Sequence, residues 1–266
     1  MVESGRDPAG RIVVEENGHV LLIGVDRPEK RNGFTPKMFR ELATAFTRLE
    51  CDDNLRAGLV HAFGDHFSAG LDLPSVAEMR KRGELLIPPG EVDPFNLREP
   101  FRKKPVVAAF KGISFTLAVE LMLSVDIAIC AEDCRFAQLE AMRGIMPGCG
   151  ATFRMVERAG WGNAMKLLLT GTEFGAAEAY RLNFAQEVVP AGTEFARALE
   201  WAQVISVQAP LAVRAILENA RIAQTNGLTA ALAHVESTQK VLYNSADAQE
   251  GVRAFVEKRP ARYTGA

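Results

Sequence analysis

Glu120 sits inside the run LAVELMLSVDIAIC, and Glu140 follows twenty residues later in RFAQLEAMRGIMPGCG. A carboxylate flanked by Leu117, Ala118, Val119, Leu121, Met122 and Leu123 is kept from water. Such burial raises its pKa and lets it exchange protons near neutrality. Two carboxylates in an apolar setting can divide the roles of acid and base. A third segment, FSAGLDL at residues 67–73, ends an apolar run in a turn of small residues. Ser-Ala-Gly leaves backbone N–H groups unshielded, the kind of donor an anionic oxygen needs. Spacing alone leaves other readings open: such a tripeptide is more often an ordinary strand-to-helix connection, and a glutamate can lie on a helix's wet face.

The elements that carry these residues follow an α/β rhythm. Short apolar runs predict strands at Ile12–Glu15, His19–Val25, Gly58–Ala62, Val106–Phe110 and Ile127–Ala131. A helix is expected after Thr35, with Thr35 as N-cap, Pro36 in the first turn, and Met38, Leu42, Ala45, Phe46 and Leu49 on one face. Another short amphipathic stretch starts near Thr116 and carries Glu120. From Gly192 onward only helical periodicity remains, at Phe195–Val207, Leu211–Gln224, Thr229–Tyr243 and Asp247–Glu257. Between Arg80 and Lys104, prolines 88, 89, 94 and 100 exclude a long regular element. A segment of that kind suits a pocket wall or lid.

Composition narrows the function. The 266 residues, 48% hydrophobic and 24% charged, describe an ordinary globular chain of one or two domains. A net charge of −2 is too balanced to hold a phosphate backbone, so no nucleic-acid partner is expected. No apolar run approaches the length of a membrane span, and the first twenty residues lack a basic start and an apolar export core. A cytoplasmic protein without a membrane partner is the expectation. Cys51, Cys130, Cys134 and Cys149 form no CxxC pair and have no His at ligand spacing, so free packing thiols and no metal site are expected.

Taken together the three segments resemble the crotonase superfamily, the enoyl-CoA hydratase and isomerase proteins, which read FSAGxDL, KPVIAAVxGxAxGGGxEL and FxxPExxxGxxPGxGGTxRL in this order. RPEKRNGF at 27–34, GTEFGAAEAYRLNFAQEVVP at 171–190 and DAQEGVRAFVEKRPARYTG at 247–265 are similar to further family segments. The resemblance implies an α/β, crotonase-like spiral of ββα units over residues 1–191 that binds acyl-CoA. It also implies a helical C-terminal trimerisation region over 192–266, giving a homotrimer or homohexamer. It places the catalytic glutamates at Glu120 and Glu140 and the oxyanion hole at the backbone N–H groups of Ala69 and Leu117. Coenzyme A contacts fall on Lys30, Arg31, Gly33, Ala69, Asp72 and Leu73, with Phe255 and Lys258 reaching over from a neighbouring subunit. The implied reaction is hydration of a 2-enoyl-CoA to a 3-hydroxyacyl-CoA. The CoA thioester is the substrate and no metal or redox cofactor is required. Isomerisation of the double bond, or acyl-CoA binding without turnover, are the other readings.

The chain departs from the family pattern at the site itself. Thr116-Leu117-Ala118 replace the GGG before the first glutamate, Leu139 replaces the Pro before the second, and Ala151 replaces the second Gly of GxGG. His61, His66, Ser114 and Asp126 have no partner motif and read as structural.

Overall fold

The computed structural model describes residues 7–266; residues 1–6, part of the stretch read for an export signal, lie outside them. Five strands run parallel: β2 (Val20–Asp26), β3 (Ala57–Ala62), β4 (Val106–Phe110), β6 (Ile127–Ala131) and β9 (Glu187–Val189). With β1 (Arg11–Asn17) antiparallel on β2, they form a six-stranded sheet in the order β1-β2-β3-β4-β6-β9. The inner strands read as unbroken apolar runs because both faces of the sheet are covered. Alternate side chains go to opposite faces. Ile23, Val25, Val60, Val106, Ala108 and Phe110 join one core, while Val20, Leu22, Leu59, Val107 and Ala109 join the other.

Helix α1 (Pro36–Cys51) covers the first face, burying Met38, Phe39, Leu42, Ala45, Phe46 and Leu49. Its start is the expected one: Thr35 accepts the Met38 N–H at 3.3 Å, and Pro36 stands where no intrahelical donor is needed. Helix α7 (Glu194–Ser206) lies on the second face, where the small Ala198 and Ala202 let it approach the strands closely.

A second sheet is built from shorter pieces. Strand β5 (Ile113–Phe115) pairs parallel with β7 (Arg135–Ala137), which pairs antiparallel with β8 (Phe174–Gly175). The chain repeatedly lays one strand in the large sheet, turns into the small one, then enters a helix. Strands β4 and β5 lead to α3 (Leu117–Ser124); β6 and β7 lead, after one turn at Ala141–Arg143, to α4 (Ala151–Ala159). After β3, the bridge between Ser68 and Ser114 replaces the second strand before α2 (Leu73–Lys81). This is the ββα spiral expected above. Phe67, Phe110, Phe136 and Phe174 pack ring on ring in sequence, tilted, edge-to-face and stacked in turn, with the first two centroids 4.3 Å apart, and join the two sheets.

Helix α2 runs through Lys81, so the irregular segment begins at Arg82, two residues later than expected, and continues to β4. Its end is held by Arg102, 1% exposed, whose guanidinium reaches Asp126 at 2.6 Å and the Lys104 carbonyl at 2.6 Å. Asp126 also accepts the Val106 N–H at 2.7 Å, the structural role expected of it. Asp126→Ala strands a buried cation, and is expected to lower stability by about 3 kcal/mol in chemical denaturation.

Beyond α7 the helices stand clear of the sheet. Helices α8 (Pro210–Asn226) and α9 (Leu228–Tyr243) form a hairpin followed by α10 (Ala246–Glu257). Helix α8 buries no residue and α9 only Ala231. Ile216, Leu228, Leu232, Val241, Val252, Phe255 and Val256 are exposed. No helix among the described residues is long and apolar enough to cross a membrane.

Candidate active site

The carboxyl ends of β3 and β4 deliver two turns to one place. After β3, Ser68 is fully buried; its hydroxyl donates to the Asn32 carbonyl at 2.7 Å and accepts the Gly70 N–H at 3.0 Å. Asn32 in turn donates to the carbonyls of Phe63 and His66 and accepts the Arg27 N–H at 2.7 Å. The turn is thus fixed from both sides.

One sequence expectation is corrected here. The Ala69 N–H donates to the Arg31 carbonyl at 2.8 Å. A single N–H carries a single hydrogen, so this amide is engaged within the fold and does not face a ligand. Two residues on, the neighbouring main-chain bonds run from Phe34 N–H to Gly70 O and from Asp72 N–H to Phe34 O. They leave the Leu71 N–H without an acceptor among the described residues. Gly70, at φ +100°, turns the chain so that this is possible, a conformation other residues rarely adopt.

The second turn starts α3. The N–H groups of Leu117, Ala118 and Val119, at the helix start, have no acceptor among the described residues, as the first turn of any helix dictates. The Leu117 amide therefore stands free. The two turns touch: a methyl group on Gly70 would sit 2.1 Å from Thr116 Oγ1 and 3.4 Å from its Cβ. Thr116 itself has φ 50° and ψ −108°, which costs a side-chain-bearing residue about 1–3 kcal/mol. Here the departure from Gly in the family pattern acquires a physical meaning.

Helix α3 carries Glu120 inward, 3% exposed. Its Oε1 accepts the Cys149 N–H at 2.6 Å and the Ala151 N–H at 3.2 Å. The Gly-rich turn 147–150 and the first residue of α4 thus supply one amide each to one carboxylate oxygen. Burial raises the Glu120 pKa; those amides and the Arg154 guanidinium oppose the rise. Arg154 bridges the carbonyls of Cys149 and Phe95 at 3.3 and 2.6 Å, joining the turn to the irregular 82–105 segment.

Glu140, 8% exposed, begins the turn at Ala141–Arg143. Burial pushes its carboxyl up to about 7, with the charge of Glu120 adding to the rise. The charge of one carboxylate thus acts on the other. The buried Gln138 amide lies 3.1 Å from Glu140 Oε2 and 3.1 Å from the Thr116 carbonyl, and donates to both. Gln138, Arg154 and Leu71 were not singled out by sequence. Only Leu71 had a local signal, since it follows the glycine of the turn.

The remaining candidates divide into two groups. Lys30 and Arg31 are exposed and Gly33 is buried, all in the loop before α1, with Arg31 beside the Ala69 amide. Leu73 is exposed at the start of α2. Asp72 caps α2 through the Ser75 N–H at 3.2 Å and pairs with Arg27 at 2.7 Å, so its carboxylate is engaged; its N–H donates to the Phe34 carbonyl and its carbonyl accepts the Ser75 hydroxyl at 3.0 Å. Burial would raise that carboxyl, but the Arg27 pairing holds it below its usual value.

Phe255 and Lys258 are not brought to this place. Helix α10 is tied through Glu250 to Arg259 and through Asp247 to Thr264. Arg56, at the start of β3, holds the Tyr263 carbonyl of that tail at 2.9 Å. The turn at Ser68 follows the opposite end of the same strand.

The residues set aside are structural. His61 packs between Phe63 and Phe195 and burial lowers it to about 4. His66 Nδ1 accepts the Ile113 N–H at 3.2 Å. Ser114 is buried in the bridge to Ser68. All four cysteines are free.

The site thus holds two buried carboxylates, Glu120 and Glu140, and two turns with unbonded amides. The enoyl-CoA hydratase/isomerase family profile matches residues 15–266, and the chain belongs to that family. The chain is 32% identical to the enoyl-CoA hydratase EchA19 of Mycobacterium tuberculosis, over 98% of each. It is 35% identical to the carnitinyl-CoA dehydratase of Proteus mirabilis, over 93% of this chain and 96% of that one. The crystal structure of a probable enoyl-CoA hydratase/isomerase from Mycobacterium abscessus superposes with a TM-score of 0.93 at 43% identity, covering 96% of this chain and 98% of that one.

Proposed function

We propose that the protein hydrates a 2-enoyl-CoA to a 3-hydroxyacyl-CoA. The observation that carries this reading is the Glu120–Glu140 pair: one carboxylate pinned by two amides, the other with its pKa lifted to about 7. Glu120 takes a proton from water as the water oxygen bonds to C3. Charge moves onto the thioester oxygen, which the Leu71 and Leu117 amides stabilise. Glu140, still protonated near neutrality, delivers a proton to C2. The two glutamates then reset by passing one proton from Glu120 to Glu140 through solvent. The reaction draws on these side chains and amides alone, with the CoA thioester as substrate and no further cofactor.

The loop with Lys30, Arg31 and Gly33, together with Ala69, Asp72 and Leu73, is assigned to coenzyme A. Lysine and arginine suit its phosphates. Phe255, 85% exposed, and Lys258 would complete the pocket of a neighbouring copy. The exposed apolar residues of α8–α10 support a homotrimer or homohexamer with residues 192–266 as the assembly segment. A cytoplasmic setting goes with this reading.

The test is loss of enoyl-thioester absorbance with a panel of short, medium and aromatic 2-enoyl-CoAs. Turnover establishes hydration; conversion of 3-enoyl-CoAs alone moves the assignment to an isomerase, and binding without either leaves a non-catalytic acyl-CoA binder.

The lifted pKa of Glu140 gives two pH effects. Turnover is expected to fall as pH rises past about 7, because the acid loses its proton. Stability falls too. Below pH 4.5 the carboxyl is protonated in both folded and unfolded chains; between 4.5 and about 7 only the unfolded chain releases the proton. The penalty accrues across that window and is complete above it, reaching about 3 kcal/mol. Urea unfolding of the wild type and Glu140→Gln at pH 5 and pH 8 checks this: the advantage of the variant grows by that amount at the higher pH.

A further inference from the structure

We propose that the Thr116 hydroxyl is a third hydrogen-bond donor to the thioester oxygen, standing between the amides of Leu71 and Leu117. The proposal rests on the acyl-thioester reading above and concerns the same oxygen.

The main chain of Thr116 is held on both sides. Its N–H donates to the Ala137 carbonyl at 2.7 Å, and its carbonyl accepts the Glu120 N–H at 3.1 Å and the Gln138 amide at 3.1 Å. Those bonds hold a backbone whose φ is +50°. Thr116 Oγ1 is the atom nearest to where Gly70 would carry a Cβ. Gly70 precedes the free Leu71 N–H, and Thr116 precedes the free Leu117 N–H. The hydroxyl therefore lies against the turn that carries one unbonded donor, on the residue that precedes the other.

It has no hydrogen-bond partner of its own among the described residues. Half-buried rather than sealed from solvent, the hydroxyl is available to a ligand atom. Its hydrogen turns freely about the Cβ–Oγ bond toward an oxygen seated between the amides. A strained backbone at such a position is the usual mark of a functional constraint. The family pattern has Gly here, so this donor belongs to this chain's own sequence. Donation strengthens as charge develops on the oxygen, and its effect falls on kcat more than on KM.

The variants Thr116→Val, Thr116→Ser and Thr116→Gly test this with a four-carbon 2-enoyl-CoA for kinetics and an aromatic enoyl-CoA as a bound chromophore. Val keeps the shape and the strain but loses the donor. We expect kcat to fall about tenfold with KM within twofold, and the absorption band of the bound aromatic thioester to move to shorter wavelength. Ser keeps the donor and stays within about threefold of the wild type. Gly releases the strain, so it melts at a higher temperature while losing activity like Val. Val with unchanged kcat, or slowed with an unmoved band, overturns the proposal. Circular dichroism establishes that each variant folds. A wild type that neither binds nor converts any enoyl-CoA removes the acyl-thioester reading itself, and the proposal with it; that outcome is seen before any variant is made.

Discussion

Glu120→Gln is expected to lower kcat for 2-enoyl-CoA hydration by about 10³-fold, in the range that a positioned general base supplies. The amide oxygen of Gln can accept the Cys149 and Ala151 N–H groups as Oε1 of Glu120 does at 2.6 and 3.2 Å, so the fold persists. The basic lone pair is lost. The substitution also removes a carboxylate whose pKa burial has raised. Ionising that group costs more in the folded chain than in the unfolded one, so at neutral pH the variant is expected to be at least as stable as the wild type. Loss of turnover with a held or raised melting temperature is the signature to look for. Loss of both together would mean that Glu120 is a structural carboxylate and that the acid–base assignment is mistaken.

Gly70→Ala attacks the other half of the site and leaves the carboxylates alone. The added methyl would lie 2.1 Å from Thr116 Oγ1 at a residue whose φ is +100°. Either the 68–71 turn or the start of α3 must shift, and both carry a donor amide. Displacing one such donor typically costs 10²- to 10³-fold in kcat, and that is the expected loss. The clash also predicts its own remedy. Gly70→Ala combined with Thr116→Gly removes the contact, so the double variant is expected to recover much of the melting temperature lost by the single one. Thermal unfolding of the two singles and the double measures that coupling; strict additivity would show that the turns do not press on one another.

The large sheet was readable because its inner strands are buried on both faces and appear as continuous apolar runs, and α1 because Thr35 and Pro36 mark its start. Strands β5, β7, β8 and β9 were not read. Each spans three residues or fewer, too short for any periodicity, and their existence depends on partners far along the chain. Glu120 was found from the apolar residues around it, and Glu140 from its place in the family pattern. The amide of Ala69 was assigned where that of Leu71 is free. Consecutive N–H groups are chemically identical in sequence, and only the partner carbonyl of Arg31 tells them apart. Gln138 and Arg154 escaped for a related reason, since a buried polar side chain declares its role only through the groups it meets. The strain at Thr116 was equally hidden, because a one-letter replacement of Gly says nothing of the sign of φ.

With Oε1 of Glu120 committed to the Cys149 and Ala151 amides, the carboxylate offers its other oxygen as the base. On the hydration reading, water then approaches C3 from one face only, while Glu140 delivers its proton along a direction set by Gln138. On that reading the handedness of the 3-hydroxy product would be set by the placement of the 147–150 turn, with one enantiomer formed from a planar, achiral alkene.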